Sequence, residues 1–252
     1  MIDLHAHILP GLDDGPGDWD KALLMLRSAV EDGIKGIAAT PHVRPGLYDN
    51  PKEAVLALTE ELKGRAKGLP IEIYPGSELM ISPETLTGMD KGLYCTINQS
   101  RYMLIELPTH FLPSAVYDFV FAMTSKGLVP IVAHPERNPM VIGEPGILYE
   151  MVRLGCLTQI TAASVIGLFG HDIKRVSHDI VKRRLAHVLA SDAHDRSRRP
   201  PKLSDGVTEV SRILDGESAM RMVAYLPEMV INDKAVEVDE PVFVRKKGFF
   251  FF

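Results

Sequence analysis

Seven short runs rich in apolar and β-branched residues recur along this chain, most of them separated by longer stretches with helical periodicity. The runs are "MIDLHAH" (1–7), "IKGIAAT" (34–40), "IEIYPGSE" (71–78), "YMLIEL" (102–107), "LVPIVAH" (128–134), "LTQIT" (157–161) and "AHVLAS" (186–191). Strand-length runs alternating with helices are the signature of repeated βα units, a parallel sheet covered by helices. In "DWDKALLMLRSAVEDG", Ala22, Leu23, Leu26, Ala29 and Val30 fall at helical spacing, with Asp18 placed to cap the start and Gly33 to end it. The segment "HDIKRVSHDIVKRRL" repeats the pattern with Ile173, Val176, Ile180 and Val181. Residues 79–101 show no such stripe and read as an irregular link. A chain of 252 residues without a linker or an internal repeat fits one domain, with 234–252 as a C-terminal extension ending in the unassigned "GFFFF".

Composition removes several classes. The chain is 46% hydrophobic and 24% charged, and no apolar stretch is long enough to span a bilayer. The start lacks a basic segment followed by an apolar core, so a cytoplasmic location is expected. Cys95 and Cys156 form no CxxC pair and are read as reduced thiols. A net charge of −5 disfavours nucleic acid as a partner, and "DRSRRPPK" and "KRRL" are read as solvated surface.

In parallel α/β sheets the loops after strand C-termini build the site, and here those ends are rich in ligand-type side chains. His5 and His7 share one face of the first strand by alternation, followed by Asp13 and Asp14 in the loop. The second run ends at His42, the third at Glu78, the fourth at Glu106, the fifth at His134 and the seventh at Asp192 and His194. Five histidines and four carboxylates, Asp14, Glu78, Glu106 and Asp192, without cysteine make a nitrogen and oxygen donor set suited to manganese, iron or zinc. So many carboxylates gathered out of water need cations to offset their charge. His110, His171, His178 and His187 lack this placement and are read as surface or core.

The motifs "DLHAHILPGLDDG", "ATPH", "GSE", "IELP", "AHPERN", "QITAASVIGLFG" and "ASDAHD" resemble the polymerase and histidinol phosphatase (PHP) superfamily and, within it, the bacterial tyrosine phosphatases of capsule and exopolysaccharide synthesis. The resemblance spans most of residues 1–233. It implies a distorted (β/α)7 barrel of the TIM-like PHP type holding about three divalent ions, most often manganese. One ion would take His5, His7, Glu78 and Asp192, a second Glu78, Glu106 and His134, and a third Asp14, His42 and His194, with Glu78 bridging. Arg137 and Arg199 match positions that hold the substrate phosphate, a role suited to a planar guanidinium; Arg196 and Arg198 are alternatives to the latter. The implied reaction is hydrolysis of phosphotyrosine on a cognate bacterial tyrosine kinase of polysaccharide export, by direct attack of metal-activated water. Two alternatives stand beside it: a small-molecule phosphatase of the histidinol-phosphate type, and a metal-stabilised regulatory module without turnover. The oligomeric state leaves no trace in the sequence.

A thiolate mechanism competes, because "CTINQSR" spells a cysteine, five residues and an arginine. A phosphate-wrapping loop needs small residues and should run from a strand into a helix. This segment has no glycine, and Arg101 leads straight into the strand "YMLIEL". Coincidence is the reading adopted.

Overall fold

The computed structural model describes residues 1–242. Among the described residues there are nine strands: β1 (Ile2–Ala6), β2 (Gly36–Ala39), β3 (His42–Val43), β4 (Glu72–Pro75), β5 (Glu78–Met80), β6 (Tyr102–Glu106), β7 (Val129–Ala133), β8 (Leu157–Thr161) and β9 (Val188–Ala190). They form two parallel sheets, ordered β1-β2-β4 and β3-β5-β6-β7-β8-β9. The fold is therefore mixed α/β with parallel sheets, as the alternation predicts.

Two of the seven expected strands are each divided. The second breaks at Thr40–Pro41, where proline offers no amide hydrogen to a ladder. The third breaks at Gly76–Ser77, and a Cβ on Gly76 would meet Thr40 Cγ2 at 3.0 Å. The first half of each pairs on the β1 side and the second half on the β6 side, so the ladder passes from one sheet into the other. At the far edge β1 meets the chain beyond β9 through an isolated parallel bridge between Ala6 and Ala193. Asp192 N–H donates to His5 O at 2.9 Å and His7 N–H to Ala193 O at 2.8 Å.

The helix Trp19–Glu31 is capped by Asp18, whose Oδ1 accepts from Lys21 N at 2.8 Å, and it leaves through Gly33 at φ +84°. Ala22, Met25, Leu26 and Ala29 are its buried stripe; Leu23 packs partly buried at the margin. The helix His171–Lys182 buries Ser177, Ile180 and Val181. The expected irregular link at 79–101 contains a helix, Pro83–Asp90. Its ends define it more than its stripe: Ser82 Oγ accepts from Thr85 N at 3.1 Å, Thr85 Oγ1 accepts from Ser82 N at 2.9 Å, and Pro83 opens the first turn. Gly88 is needed where the Tyr94 ring packs against it.

Two apolar clusters hold the sheets. The larger lies between strands and helices; the smaller includes Leu104, Ile131, Leu157 and Val188 and is joined by Val230 and Ile231. Alternation puts Glu106 on the same face as Leu104 and Gln159 on the same face as Leu157, so polar residues sit directly above an apolar floor. Tyr102 O–H donates to Lys234 O at 2.7 Å and Val242 N–H to Arg183 O at 2.9 Å, which fastens the start of the C-terminal extension. The "GFFFF" tail lies outside the described residues. Among these residues no helix is long and apolar enough to cross a membrane.

Candidate metal centre

The strand ends bring all nine candidate ligands into one place. Backbone conformation aims two of them: His134, just past β7, has φ +34°, and Asp192, just past β9, has φ +53°. Non-glycine residues rarely adopt this left-handed region, and such positions cluster at functional sites. The loop after β1 doubles back so tightly that a Cβ on Gly15 would lie 2.7 Å from His7 O. That contact accounts for glycine in "DDG".

The sharpest geometry surrounds the two imidazoles of β1. His5 Nε2 lies 3.2 Å from His7 Nε2, 3.4 Å from Glu78 Oε2 and 3.4 Å from Asp192 Oδ1. His7 Nε2 lies 3.4 Å from Glu78 Oε2 and 3.5 Å from Asp192 Oδ1. A tetrahedron of ligands at roughly 2.0–2.1 Å from a cation has edges of about 3.3–3.4 Å. These separations suit ligands around a shared cation better than hydrogen-bonded partners.

The other ring nitrogens show what the facing atoms carry. His5 Nδ1 is 2.9 Å from Gln159 Oε1, and the same oxygen accepts from His134 N–H at 3.3 Å, so it is an acceptor and His5 Nδ1 is the donor. His7 Nδ1 donates to Asp13 Oδ2 at 2.6 Å. In the neutral rings both Nε2 atoms are then bare lone pairs pointed at each other, which a cation must separate. Burial opposes charge on both rings, but Glu78 and Asp192 around His5, and Asp13, Asp192 and Glu78 around His7, raise their pKa values. The pocket draws positive charge, proton or metal, to this point.

Two further groups adjoin it. His42 Nδ1 approaches Glu78 Oε2 at 2.7 Å, yet neither atom has a hydrogen-bond partner of acceptable geometry. Glu78 Oε1 is 2.7 Å from His134 Nε2, and Glu106 lies 3.9 to 4.0 Å from His42 and His134. Asp14 Oδ1 stands 3.4 Å from His194 Nε2 and 3.6 Å from His42 Nε2, and His194 Nε2 is itself buried and unpartnered. His194 Nδ1 faces Asp192 O at 3.0 Å, an acceptor that leaves Nε2 bare. Burial, with the charge of Arg137, pushes His134 down to about 4; burial, with that of His7, pushes His194 down to about 3. Both rings are thus held neutral as metal ligands require. Although burial opposes it, His5 and His42 hold Glu78 well below the usual carboxylate range. Burial, reinforced by the Glu78 charge, raises Glu106. Orphaned lone pairs, clustered carboxylates and an all-nitrogen-and-oxygen donor set fit divalent cations.

A cavity of about 250 Å³ opens on these groups, lined by Asp14, His42, Glu106, His134, Asp192 and His194 together with Arg44, Arg137 and Arg199. Arg137 Nη2 and Arg199 Nη2 both donate to Asp192 Oδ2, the second at 2.5 Å. The Arg137 guanidinium also lies 5.3 Å from the Phe169 ring centre. Arg196 and Arg198 are exposed and do not line the cavity, which separates Arg199 from its neighbours.

Several contributors lie outside the ligand set read from the sequence. Asp13, noted only as a loop carboxylate, supports His7 and the His42 amide, while Gln159, which orients His5, and Arg44, which grips Glu106 from Nε at 3.1 Å and Nη2 at 2.8 Å, were not singled out. Tyr48 stacks on His42 with ring centres 5.8 Å apart. Gln159 was findable from its even spacing with Thr161 in β8; Arg44 lies beyond a strand and carried no signal. Cys95 is buried and its thiol is pushed up to about 11 by burial, while Arg101 pairs with Asp233 on the surface. A thiolate site is not assembled. His110 and His171 are exposed, His178 bonds Val165 O, and His187 is buried against Thr158.

Comparison with known proteins gives the chain's relatives. The family model for capsular polysaccharide synthesis, CpsB/CapC, matches residues 1–232. The chain is 33% identical over 254 residues to the tyrosine-protein phosphatase YwqE of Bacillus subtilis, covering all of both chains. It superposes with a TM-score of 0.92 and 33% identity, over 98% of this chain and 100% of the other, on a solved structure from a study of YwqE and of CpsB from Streptococcus pneumoniae, described as unique metal-dependent tyrosine phosphatases. A dihydropyrimidinase from Brevibacillus agri shares the fold alone, with a TM-score of 0.57 and 12% identity over 95% of this chain and 73% of the other.

Proposed function

Because the chain belongs to the CpsB/CapC family of capsular polysaccharide synthesis, we propose that it is a metal-dependent protein-tyrosine phosphatase. Its substrate is a phosphotyrosine segment of a cognate tyrosine kinase in polysaccharide synthesis or export, and it works in the cytoplasm, where Cys95 and Cys156 stay free. The observation that carries the reading is the pair of bare imidazole nitrogens of His5 and His7, 3.2 Å apart between Glu78 and Asp192. The strands from β1 to β9, returning to β1 through Ala6 and Ala193, form one distorted (β/α)7 barrel domain whose C-terminal rim carries the site.

In this reading about three ions, manganese by preference, are held by His5, His7, Glu78 and Asp192, by Glu78, Glu106 and His134, and by Asp14, His42 and His194. When bound, they supply charge neutralisation for phosphoryl oxygens and lower the pKa of water to a reactive range. The protein's own groups do the rest. Arg137 and Arg199 turn from Asp192 to the phosphate oxygens, where two planar guanidinium groups fix its orientation. His42, at the cavity wall, touches both the phosphate site and the acidic cluster. The apolar floor beneath strengthens each of these interactions by excluding water.

The test is phosphate release from a phosphotyrosyl peptide and from histidinol phosphate, after chelation and after readdition of manganese. Rapid manganese-dependent release from the peptide alone supports the reading. Preference for histidinol phosphate makes it a small-molecule phosphatase, and no turnover of either by metal-loaded protein makes it a regulatory module.

A further inference from the structure

The three most exposed leucines of the described chain, Leu47, Leu112 and Leu168, are 66%, 72% and 65% exposed, and all follow strand C-termini on the face that carries the catalytic cavity. Each is close in sequence to a group at that cavity. Leu47 is three residues from Arg44 and Leu112 three from Thr109, both of which line it, while Leu168 adjoins Phe169, whose ring packs under Arg137. They follow β3, β6 and β8, which are separated by intervening strands, so they come from three different loops spread along the strand order.

None of the three sits on a loose loop. Leu47 closes a turn whose Leu47 N–H donates to Arg44 O at 2.9 Å, with Pro45 and Gly46 (φ +79°) at its corners, the residue pair a type II turn demands. Leu168 follows a Schellman cap in which Gly167 has φ +94° and Leu168 N–H donates to Ala163 O at 2.9 Å. The apolar residue at that position ordinarily folds back on its helix, but here it stays in solvent. Leu112 occupies the N-cap of the helix Pro113–Thr124 without any side-chain cap bond, a place where leucine is among the poor choices. Leu112 departs from the N-cap preference and Leu168 from the usual packing of its position, and all three present an apolar side chain to water from hydrogen-bonded or helix-terminal backbone. Sites where local rules fail without a packing gain are where function is expected.

We propose that Leu47, Leu112 and Leu168 form an apolar collar that docks the polypeptide on either side of the substrate phosphotyrosine. This deepens the phosphatase reading and rests on it. The cavity, about 250 Å³ with most of its histidines and Asp192 buried, admits a phosphorylated aromatic ring but no flanking chain. Residues before and after the tyrosine must lie on the rim, and the rim offers them fixed apolar anchors. The preferred substrate segment therefore carries large apolar side chains near its phosphotyrosine, and prepaid rigidity of the collar lets that contact count fully toward binding.

The experiment compares p-nitrophenyl phosphate with two phosphotyrosyl peptides, one flanked by leucine and phenylalanine and one by serine, using manganese-loaded wild-type protein and the variant carrying Leu47→Ser, Leu112→Ser and Leu168→Ser. The wild type is expected to favour the apolar peptide, and the variant to lose that preference by at least about tenfold in kcat/KM, mostly through KM. Its rate on p-nitrophenyl phosphate stays within about twofold, because no collar leucine reaches the cavity. Equal turnover of both peptides by the wild type, or an equal loss on all three substrates in the variant, overturns the collar. So does a wild-type oligomer that the three substitutions dissociate, since the leucines would then cover a second copy of this chain. Wild-type protein that cleaves p-nitrophenyl phosphate but neither peptide overturns the protein-tyrosine phosphatase reading itself.

Discussion

Asp13 holds three hydrogen bonds at once, and replacing it by asparagine isolates what the support behind the proposed metal ligand His7 contributes. Its Oδ2 accepts from His7 Nδ1 at 2.6 Å and from the His42 amide at 2.9 Å, and its Oδ1 accepts from Gly15 N–H at 3.0 Å. Although burial opposes ionisation, the His7 hydrogen bond prevails and holds the carboxyl at about 2. Asparagine has one acceptor oxygen. If that oxygen serves His7, the amide NH2 points at the Gly15 donor; if it serves Gly15, the NH2 points at His7 and His42. Either way a mostly buried donor faces another donor, at about 1–3 kcal/mol. His7 also loses the negative charge that fixes its tautomer and raises its basicity. Removal of such a partner lowers metal affinity by about 10–100-fold, or roughly 1.4–2.7 kcal/mol. Competition of manganese against a fluorescent chelator should show that loss, and excess manganese should restore much of the phosphatase rate because every proposed direct ligand remains. Metal affinity within about twofold of wild type would refute the assignment of Nε2 as the metal-facing atom of His7.

Three other substitutions probe separate parts of the molecule. His5→Ala should lower phosphotyrosine hydrolysis by orders of magnitude, about 10³-fold or more, while Cys95→Ser, whose hydroxyl can donate to Lys52 O as the thiol does at 3.7 Å, should change it less than about twofold; a folded, metal-replete and inactive Cys95→Ser protein would reinstate a thiolate. Arg137→Lys keeps the charge but loses the planar fork, so kcat/KM should fall about 10–100-fold with metal content unchanged, as read by elemental analysis beside steady-state kinetics. His187 is pushed down to about 4 from 6.5 by burial, so between those values the unfolded chain takes up a proton that the folded one refuses. Stability should decline as pH falls from 6.5 to 4, by at most about 3 kcal/mol from this group. Urea unfolding of metal-free protein across that window should show a shallower decline for His187→Gln, and parallel curves would disprove it.

Much of this protein is written in one dimension. Strand runs alternate with amphipathic helices, and a parallel sheet has a single functional end, so His5, His7, His42, Glu78, Glu106, His134, Asp192 and His194 could be assigned to one place from their positions in those runs alone. Period-two alternation put His5 and His7 on one face before any contact was known. The ends of the helix Trp19–Glu31 were equally legible, because a cap is a local hydrogen bond between neighbours in sequence. Tertiary structure alone decided the rest. The division of two strands at Pro41 and Gly76 depends on which neighbour each half meets. The helix Pro83–Asp90 has local caps but too weak a stripe to announce itself, and Tyr94 packing against Gly88 completes it. Arg44 reaches Glu106 across 62 positions and Gln159 reaches His5 across 154. Arg199 is distinguished from Arg196 and Arg198 only by the direction each side chain takes from one short loop. Local propensity and periodicity act over a few residues and survive in the string, whereas the choice of partner for a buried charge is made by chain closure, which brings together groups that the sequence keeps far apart.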